Sequence, residues 1–297
     1  ITDLDELPFP DRTMLPYKKY SSVLSHSDTL TTMITSRGCP YKCVFCDRMG
    51  KRFRAFSPEY VLAEIESILT LGIKEIFIHD DTFTVDKNRV EAICQGILDK
   101  KLKLTWDARA RVDCVDYDLL SLMKKAGCSR ISFGVETGSI EVLKNLRKGI
   151  KLEQVEKAFQ WCKDLRISAL ADFMVGSPGE TMNEIEETIK FVKALKPDYA
   201  QFSILCPYPD TDLYRLAVKR GIIKDDEWLY FSSNPSKDFT PPVWSEHFSR
   251  QELEKIAKKM YKEFYITPHF IFKEIKKISS LKEIKVKIKA GLNLFLS

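Results

Sequence analysis

Short apolar segments alternate with longer amphipathic segments along the chain from about residue 30. The short segments are rich in β-branched and aromatic residues and end at polar residues, glycine or proline, which is typical of buried strands. Six strands are predicted: Thr31–Thr35, Glu75–His79, Leu104–Ala108, Arg130–Gly134, Ala169–Val175 and Tyr199–Leu205.

The longer segments repeat apolar residues with the period of a helix. Ser57 followed by Pro58 marks one helix start, because serine caps an N-terminus and proline fits the first helical position. After residue 221 an aromatic, proline-bearing loop leads into three further helical stretches. The six helices predicted between the strands are Pro58–Leu71, Lys87–Lys100, Tyr117–Ala126, Leu152–Asp164, Thr181–Leu195 and Asp212–Arg220.

This alternation predicts an α/β fold with a parallel sheet. Six strand–helix units fit either an open doubly wound sheet or a partial barrel, and the local pattern does not separate the two. In both folds the ligand site lies at the carboxyl ends of the strands. The segments that follow the predicted strands are polar or rich in glycine and proline, so we expect the binding and catalytic residues at the carboxyl ends of the strands, which we call the rim.

Composition and charge describe a globular chain with one basic end. The 297 residues are 44% hydrophobic and 30% charged, which excludes a disordered protein. No apolar run approaches the ~18 residues of a membrane span. Residues 251–297 hold eleven lysines against five glutamates, and the remainder is close to neutral, so we expect no nucleic-acid partner. We favour a packed helix with a solvated lysine face for this tail; weak contact with a membrane surface is the alternative.

Residues 1–29 form an acidic, proline-bearing stretch that we expect to be a linker from an N-terminal domain outside this chain. Five of the eight cysteines are scattered through segments that look like core, so a disulfide scaffold is not expected. A reducing compartment, and hence the cytoplasm, fits this cysteine usage better.

The other three cysteines, Cys39, Cys43 and Cys46, lie within eight residues after the first predicted strand. Their spacing lets a short loop place one thiolate on each of three irons of a [4Fe–4S] cluster, and the fourth iron would keep an open site. A zinc site with a remote fourth ligand and a loop of buried free thiols are the alternatives. Cations around the loop favour thiolates and a negatively charged cluster: Arg37, Lys42, Arg48, Lys51 and Arg52.

The CxxxCxxC spacing, with Phe45 before the third cysteine and a position after the first strand of a βα repeat, resembles the radical S-adenosylmethionine (SAM) superfamily. The resemblance implies a partial (β/α)6 TIM-like barrel over residues 30–222 and a C-terminal loop and helical extension over residues 223–297. It implies that the three cysteines bind the cluster and that SAM chelates the fourth iron. One-electron reduction would then give methionine and a 5′-deoxyadenosyl radical that takes a hydrogen atom from a substrate.

With this family assignment, two segments at the strand ends would hold the amino acid end of SAM, although neither copies a family motif. "FIHDDTFT" stands where the family often has Gly-Gly-Glu, so Asp80 or Asp81 would accept from the SAM amino group. A capped turn is the alternative for both. "DARARVD" would pair Arg109 or Arg111 with the SAM carboxylate, and an ordinary ion pair is the alternative there.

Two further segments resemble the family where it holds the nucleoside of SAM. "ISFGVETGS" would turn Glu136, and Ser132 on the same strand face, toward the ribose or methionine part of SAM. The alternative for Glu136 is a capping network at the next helix. "DFMVGSPGET" would pack Met174, Val175 and Gly176 against adenine, although apolar strand residues are more often core.

The flanks resemble one subgroup, in which a cobalamin-binding domain precedes the radical SAM core. "DLDELPFPDR" resembles its linker and the C-terminal segment resembles its helical tail. The cobalt-binding DxHxxG signature is absent from this chain, so cobalamin would come from a domain outside it. The resemblance implies C-methylation or a related modification of a small-molecule or lipid-like substrate.

Such an enzyme would take electrons from a low-potential donor such as flavodoxin or ferredoxin. It would lie in the cytoplasm or at the periphery of the membrane. A methylthiotransferase acting on tRNA or protein is the alternative within the superfamily, and a non-catalytic iron–sulfur or zinc protein is the alternative outside it.

Overall fold

The computed structural model describes residues 3–22, 25, 27, 29–47, 52–223, 227–268 and 270–272. The basic tail after residue 272, and Arg48 and Lys51 of the cysteine loop, lie outside the described residues. Within the described ranges the strands are β1 (Thr31–Met33), β2 (Ser36–Arg37), β3 (Arg54–Ala55), β4 (Glu75–Ile78), β5 (Thr105–Ala110), β6 (Cys128–Glu136), β7 (Ser168–Val175) and β8 (Tyr199–Ile204). The α-helices there are α1 (Pro58–Thr70), α2 (Lys87–Asp99), α3 (Tyr117–Lys125), α4 (Ile140–Asn145), α5 (Leu152–Asp164), α6 (Met182–Leu195), α7 (Asp212–Lys219), α8 (Glu227–Ser233) and α9 (Arg250–Tyr265).

Six parallel strands form the main sheet in the order β1-β4-β5-β6-β7-β8. The order across the sheet therefore follows the order along the chain. A doubly wound sheet reverses this order at a switch point, whereas a barrel adds each unit on the same side. Right-handed crossovers then place the helices on one face of the sheet. The predicted α/β fold, a partial (β/α)6 barrel, is confirmed, and the doubly wound alternative is wrong.

All six predicted strands and all six predicted helices form, with ends that shift by a few residues. The predicted cap of α1 is confirmed: Ser57 Oγ accepts a hydrogen bond from Tyr60 N at 3.1 Å, and Pro58 takes the first helical position. Two features are additional. α4 is a short helix between β6 and α5, and β2 pairs with β3 in a separate antiparallel ladder.

The core lies between the sheet and its helices. Strand residues that point to this side are buried, and Ile76, Trp106, Phe133, Phe173 and Phe202 are no more than 4% exposed. Removing such a side chain from water stabilises the fold by about 1.5–3 kcal/mol each. The strand residues between them point to the opposite face, which we call the inner face. Most of these are polar and only partly buried.

The N-terminal segment covers the edge of the sheet at β1. The Arg12 guanidinium donates to the Thr32 carbonyl and to Thr31 Oγ1, both at 3.0 Å, and pairs with Glu64 of α1 at 2.6 Å. An uncovered edge strand presents free backbone groups to other chains. Arg12 occupies one of these groups and thereby ties the segment before β1 to the fold.

Two tyrosines of α9 cover the opposite edge, at β8. Tyr265 Oη accepts from Ala200 N at 3.1 Å and donates to Ala200 O at 2.8 Å, and Tyr261 Oη accepts from Phe202 N at 3.1 Å. These hydroxyls replace part of the ladder that a seventh strand would supply. The described part of the C-terminal extension therefore closes the open side of the sheet. Across the ranges described above, no helix is both long and apolar enough to cross a bilayer.

Candidate active site

The cysteine loop, residues 38–53, connects β2 to β3 and follows the end of the first strand. β1 runs into β2, and Ser36 and Arg37 pair with Ala55 and Arg54 of β3, so the loop is held together at its base. Gly38 has a φ of +80°, a conformation that residues with a side chain rarely adopt. The turn that leads into Cys39 therefore needs this glycine.

Asp80, at the end of β4, fixes the backbone just before the loop. Its Oδ1 accepts from the backbone N–H groups of Thr35 and Ser36 at 2.6 and 3.0 Å. Its Oδ2 accepts from the hydroxyls of the same two residues, each at 2.6 Å. Asp80 is 1% exposed, and its burial raises the pKa of the carboxyl, although these hydrogen bonds act in the opposite direction. Asp80 thus anchors the loop and has no accessible oxygen to offer SAM.

Arg89 of α2 also fixes the backbone on both sides of the cysteine loop. Its Nη2 donates to Thr35 O at 2.7 Å and its Nε donates to Phe56 O at 2.8 Å, so the two ends of the loop share one guanidinium. Asp81 differs from Asp80, because it is exposed and its charge acts on the Cys46 thiol. Of the two aspartates predicted to contact SAM, Asp81 is the one that the fold leaves accessible.

The three thiols lie in a partly buried, cationic environment. Cys39 is buried, with its Sγ 3.8 Å from Thr82 Oγ1, and the Sγ of the half-buried Cys43 lies 3.7 Å from Arg111 Nη1. Burial raises the pKa of Cys43, and burial together with the neighbouring thiols raises the pKa of Cys46 to about 12. Metal binding must therefore displace protons from these thiols.

In the described part of the chain, no three Cys, His, Asp or Glu side chains are arranged to hold a metal ion. Each thiolate of a [4Fe–4S] site binds a different iron, so its ligands need not converge on one ion. The donor set suits such a cluster, because thiolates are the ligands that iron–sulfur clusters use. Arg111 and Lys148 add positive charge beside Cys43. The residues fit the cluster, and the ligand roles of the three cysteines stay predictions.

Arg111 holds the cysteine loop in place and also adds positive charge beside it. Its Nε and Nη2 each donate to a carboxylate oxygen of Asp113 at 2.9 Å, and Nη2 also donates to the backbone carbonyl of Lys148 at 2.8 Å. The guanidinium carbon lies 3.7 Å from the centre of the Tyr41 ring, within the loop. The structure brings Arg111 to the predicted site, where most of its donors are already engaged.

Glu136, at the end of β6, forms a buried ion pair with Lys148. Their Oε1 and Nζ atoms are 2.5 Å apart, and each side chain is 8% exposed. Glu136 has a φ of +71°, and the β6–β7 register shifts between Gly134 and Glu136. A residue other than glycine in this conformation is strained, and such strain clusters at functional sites. A Cβ at position 134 would lie 2.5 Å from Glu136 Oε1 and 2.8 Å from Lys148 Nζ, so Gly134 makes room for the pair.

Lys148 is a site residue that the sequence reasoning missed. It lies in the connection between α4 and α5, not at the end of a strand, so no rim motif pointed to it. The connection also holds the cysteine loop directly, since Val44 N donates to Leu146 O at 3.1 Å. Its only local signal is a lysine before a glycine, in "LRKG".

The remaining predicted residues divide between the site and the core. Phe45 and Met174 pack against one apolar cluster that also contains Val44 and Trp244, which places the cysteine loop beside the end of β7. Ser132 is half-buried on the inner face of β6.

Val175 is 1% exposed and belongs to the core beneath the helices, so its side chain is not at the site. Gly176 has a φ of +80°, and a Cβ there would lie 3.0 Å from Leu253 of α9. Its backbone N–H donates to Glu180 Oε2 at 2.6 Å.

The chain resembles known proteins over most of its length. It is 37% identical over 280 residues to an uncharacterized methyltransferase of Pyrococcus horikoshii, a match that covers 93% of this chain and 59% of that protein. It is 28% identical over 276 residues to the anaerobic magnesium-protoporphyrin IX monomethyl ester cyclase of Rubrivivax gelatinosus, covering 91% and 48%. The chain thus spans about half the length of these relatives.

Solved structures with the same fold include a cobalamin-dependent S-adenosylmethionine radical enzyme, OxsB. Its complex with aqua-cobalamin and S-adenosylmethionine superposes with a TM-score of 0.66 at 20% identity, over 89% of this chain and 45% of that one. The radical S-adenosylmethionine methyltransferase TsrM of Kitasatospora setae gives 0.61 at 21% identity, over 66% and 40%. At these identities the likeness shows the fold alone.

The family follows from the sequence match that contains the cysteine loop. Residues 33–192 of the 297 match the model of the radical SAM superfamily, from the end of β1 into α6. Enzymes of this family use a [4Fe–4S] cluster and SAM, act on a substrate and take electrons from a reductase. With more than half of its length in this match, the chain belongs to the radical SAM superfamily.

Proposed function

We propose that this chain is the catalytic core of a radical SAM methyltransferase that uses cobalamin to methylate a carbon atom of its substrate. The observation that carries the proposal is the cysteine loop at the carboxyl end of the first strand of a six-stranded partial barrel. A relative that is 37% identical is described as a methyltransferase, and the OxsB structure contains cobalamin.

The residues of this chain would divide the work of holding the cofactors. Cys39, Cys43 and Cys46 would each bind one iron. When bound, the cluster and SAM supply a 5′-deoxyadenosyl radical that removes a hydrogen atom from the substrate. Arg111 would offset the negative charge of the thiolates, since its guanidinium touches Cys43 Sγ.

Other side chains would hold SAM itself. The accessible carboxylate of Asp81 would accept from the SAM amino group. Glu136, with Ser132 on the same strand, would face the ribose or methionine part of SAM. Gly176 would bring backbone, and Met174 a half-buried apolar side chain, against adenine.

The domain boundaries predicted from the sequence are part of the proposal. We infer that residues 1–29 are a linker, residues 30–222 the radical SAM core and residues 223–297 a C-terminal extension. The chain lacks DxHxxG and spans about half the length of its relatives, so cobalamin would be held by another part of a longer protein. The electron donor would be a flavodoxin or a ferredoxin. We place the enzyme in the cytoplasm, where the tail after residue 272 would touch a membrane surface at most weakly.

The test uses the full-length protein, purified and reconstituted without oxygen in the presence of hydroxocobalamin. We expect it to retain a corrin, measured by visible absorption, and to transfer a deuterated methyl group from labelled SAM to a carbon atom of an accepted substrate. A full-length protein that cleaves SAM and retains no corrin would contradict the cobalamin part of the proposal. Products that carry a methylthio group would point to the methylthiotransferase alternative.

A further inference from the structure

The inner face of the sheet has a layered arrangement of polar side chains. Asp107 pairs in register with Phe77 on one side and with Arg130 on the other. Arg130 Nη2 forms an ion pair with Asp107 Oδ2, and its guanidinium carbon lies 5.2 Å from the centre of the Phe77 ring. This first layer is therefore neutral overall, and its charges are paired with each other.

The next layers toward the carboxyl ends of the strands contain charges of another kind. Arg109 pairs in register with Ser132, and Asp172 pairs with Gly134 and Gln201. Neither the Arg109 guanidinium nor the Asp172 carboxyl makes a hydrogen bond or an ion pair with any residue that the structure describes. Arg109 is exposed, whereas Asp172 is partly buried.

The two groups are close enough to influence each other but do not form a pair. Burial, followed by the charge of Glu136, raises the pKa of Asp172 to about 6, and Arg109 opposes this shift. Partial burial lowers the pKa of His79 at the end of β4, and the charge of Arg109 lowers it further. A strand face in a protein core is normally filled with apolar side chains. Here an unpaired cation and an unpaired carboxyl lie on the same inner face, and neither is fully buried.

This part of the inner face adjoins the candidate cluster site. The charges of Glu136 and Lys148 both shift the pKa of Asp172, and the charge of Lys148 also lowers the pKa of Cys43 against the effect of burial. Arg111, two residues beyond Arg109 on the same segment, contacts Cys43 Sγ at 3.7 Å. Two residues of a strand span roughly 6.6 Å, so Arg109 lies deeper in the barrel than the arginine beside the cysteine loop.

We propose that the inner face binds the substrate through an anionic group, held by the Arg109 guanidinium, with Asp172 accepting a hydrogen bond from a hydroxyl or amino group of the same molecule. The chemistry that fits is a carboxylate or a phosphoryl group, because guanidinium binds both through paired hydrogen bonds. A neutral polycyclic lipid would leave both charges desolvated and unpaired, which is unfavourable. The substrate class is therefore a polar, anionic small molecule. This inference rests on the proposed radical SAM function, since it assigns the substrate of that site.

The test is anaerobic calorimetry on the reconstituted full-length protein, with pyrophosphate and succinate as probes of the two anion types. We expect at least one probe to bind and Arg109→Met to weaken it about tenfold or more, as for the loss of a charge-assisted contact. Asp172→Asn should leave the affinity for these probes within about threefold, since neither probe carries a donor for it. Arg215→Met removes an exposed arginine on α7 and should bind both probes like the wild type. The tighter probe distinguishes a phosphoryl from a carboxylate substrate.

Three outcomes would overturn the inference. The first is that neither probe binds, and the second is that Arg109→Met binds both probes as well as the wild type does. The third is that Arg109→Met weakens SAM as strongly as the probes, which would assign Arg109 to the SAM carboxylate. Release of 5′-deoxyadenosine by the wild type is measured separately. If the wild type releases it and any of the three outcomes occurs, the inference fails and the radical SAM part of the proposed function stands.

Discussion

Replacing Asp80 with alanine should destabilise the protein far more than the same change at Asp81. In Asp80→Ala, the buried N–H groups of Thr35 and Ser36 lose their acceptor, and the hydroxyls of the same two residues lose theirs. A buried donor left without a partner costs about 1–3 kcal/mol. The two N–H groups alone therefore predict a loss of about 4 kcal/mol, and the hydroxyls can turn to other acceptors.

Asp80→Asn gives an intermediate case, because an amide oxygen in the place of Oδ1 still accepts from both N–H groups. Its expected cost is about 1 kcal/mol. Asp81→Ala removes an exposed carboxylate and should change the free energy of unfolding by less than about 0.5 kcal/mol. It should instead weaken SAM binding.

Urea unfolding of the reduced protein, followed by circular dichroism, measures the three stabilities, and equilibrium dialysis measures SAM binding to the reconstituted protein. Equal stability of Asp80→Ala and Asp81→Ala would refute the anchoring role of Asp80. So would an Asp80→Ala variant that folds normally and fails only to bind SAM, because Asp80 would then be the ligand contact.

Three further predictions concern polar groups within the fold. Lys148→Met should lower the free energy of unfolding by about 3–5 kcal/mol, because it leaves the Glu136 carboxylate buried and unpaired. In urea unfolding, the double variant Lys148→Met with Glu136→Gln should lose less stability than the two single variants together. Additive losses would contradict the ion pair. Tyr265→Phe should lower stability by about 1–2 kcal/mol, because the Tyr265 hydroxyl makes two hydrogen bonds with β8. Tyr261→Phe should cost about half as much, because its hydroxyl makes one such bond. A thermal melt that ranks the two variants in the opposite order would contradict the role of these tyrosines at the edge of the sheet. Burial raises the pKa of Glu180 to about 7 from 4.5, so the folded state binds its proton more tightly than the unfolded state and stability should fall as pH rises from about 5 to 8. Glu180→Gln should remove about 3 kcal/mol of that fall, and parallel pH profiles of the two proteins would refute the assignment.

The sequence was sufficient for most of the fold, because the elements are long and their periods are clear. Trp106 and Phe133, for example, lie in segments where apolar residues recur at about every second position, and both side chains are fully buried. The choice between a barrel and a doubly wound sheet was not accessible from local pattern. It depends on which strands pair, and β1 pairs with β4 while no local feature of β1 specifies this neighbour.

The site could be predicted where its residues follow strands and not elsewhere. The cysteine loop and Glu136 both follow predicted strands, so the rule that sites lie at the carboxyl ends of parallel strands predicts them. Lys148 lies between two helices and reaches Glu136 only because β6 bulges at Gly134, a tertiary effect that the sequence does not reveal. Asp80 and Asp81 are neighbours of identical chemistry, and only the packing of Thr35 and Ser36 onto one of them separates their roles.

Reductive cleavage of SAM tests the central claim most directly. The reconstituted protein, given SAM and a low-potential reductant without oxygen, should release 5′-deoxyadenosine, measured by liquid chromatography and mass spectrometry. Cys43→Ala should abolish this release, whereas Cys206→Ala, which changes a half-buried cysteine outside the loop, should leave it close to the wild-type level. Release that persists in Cys43→Ala would contradict the account of the cysteine loop as the ligand of the cluster.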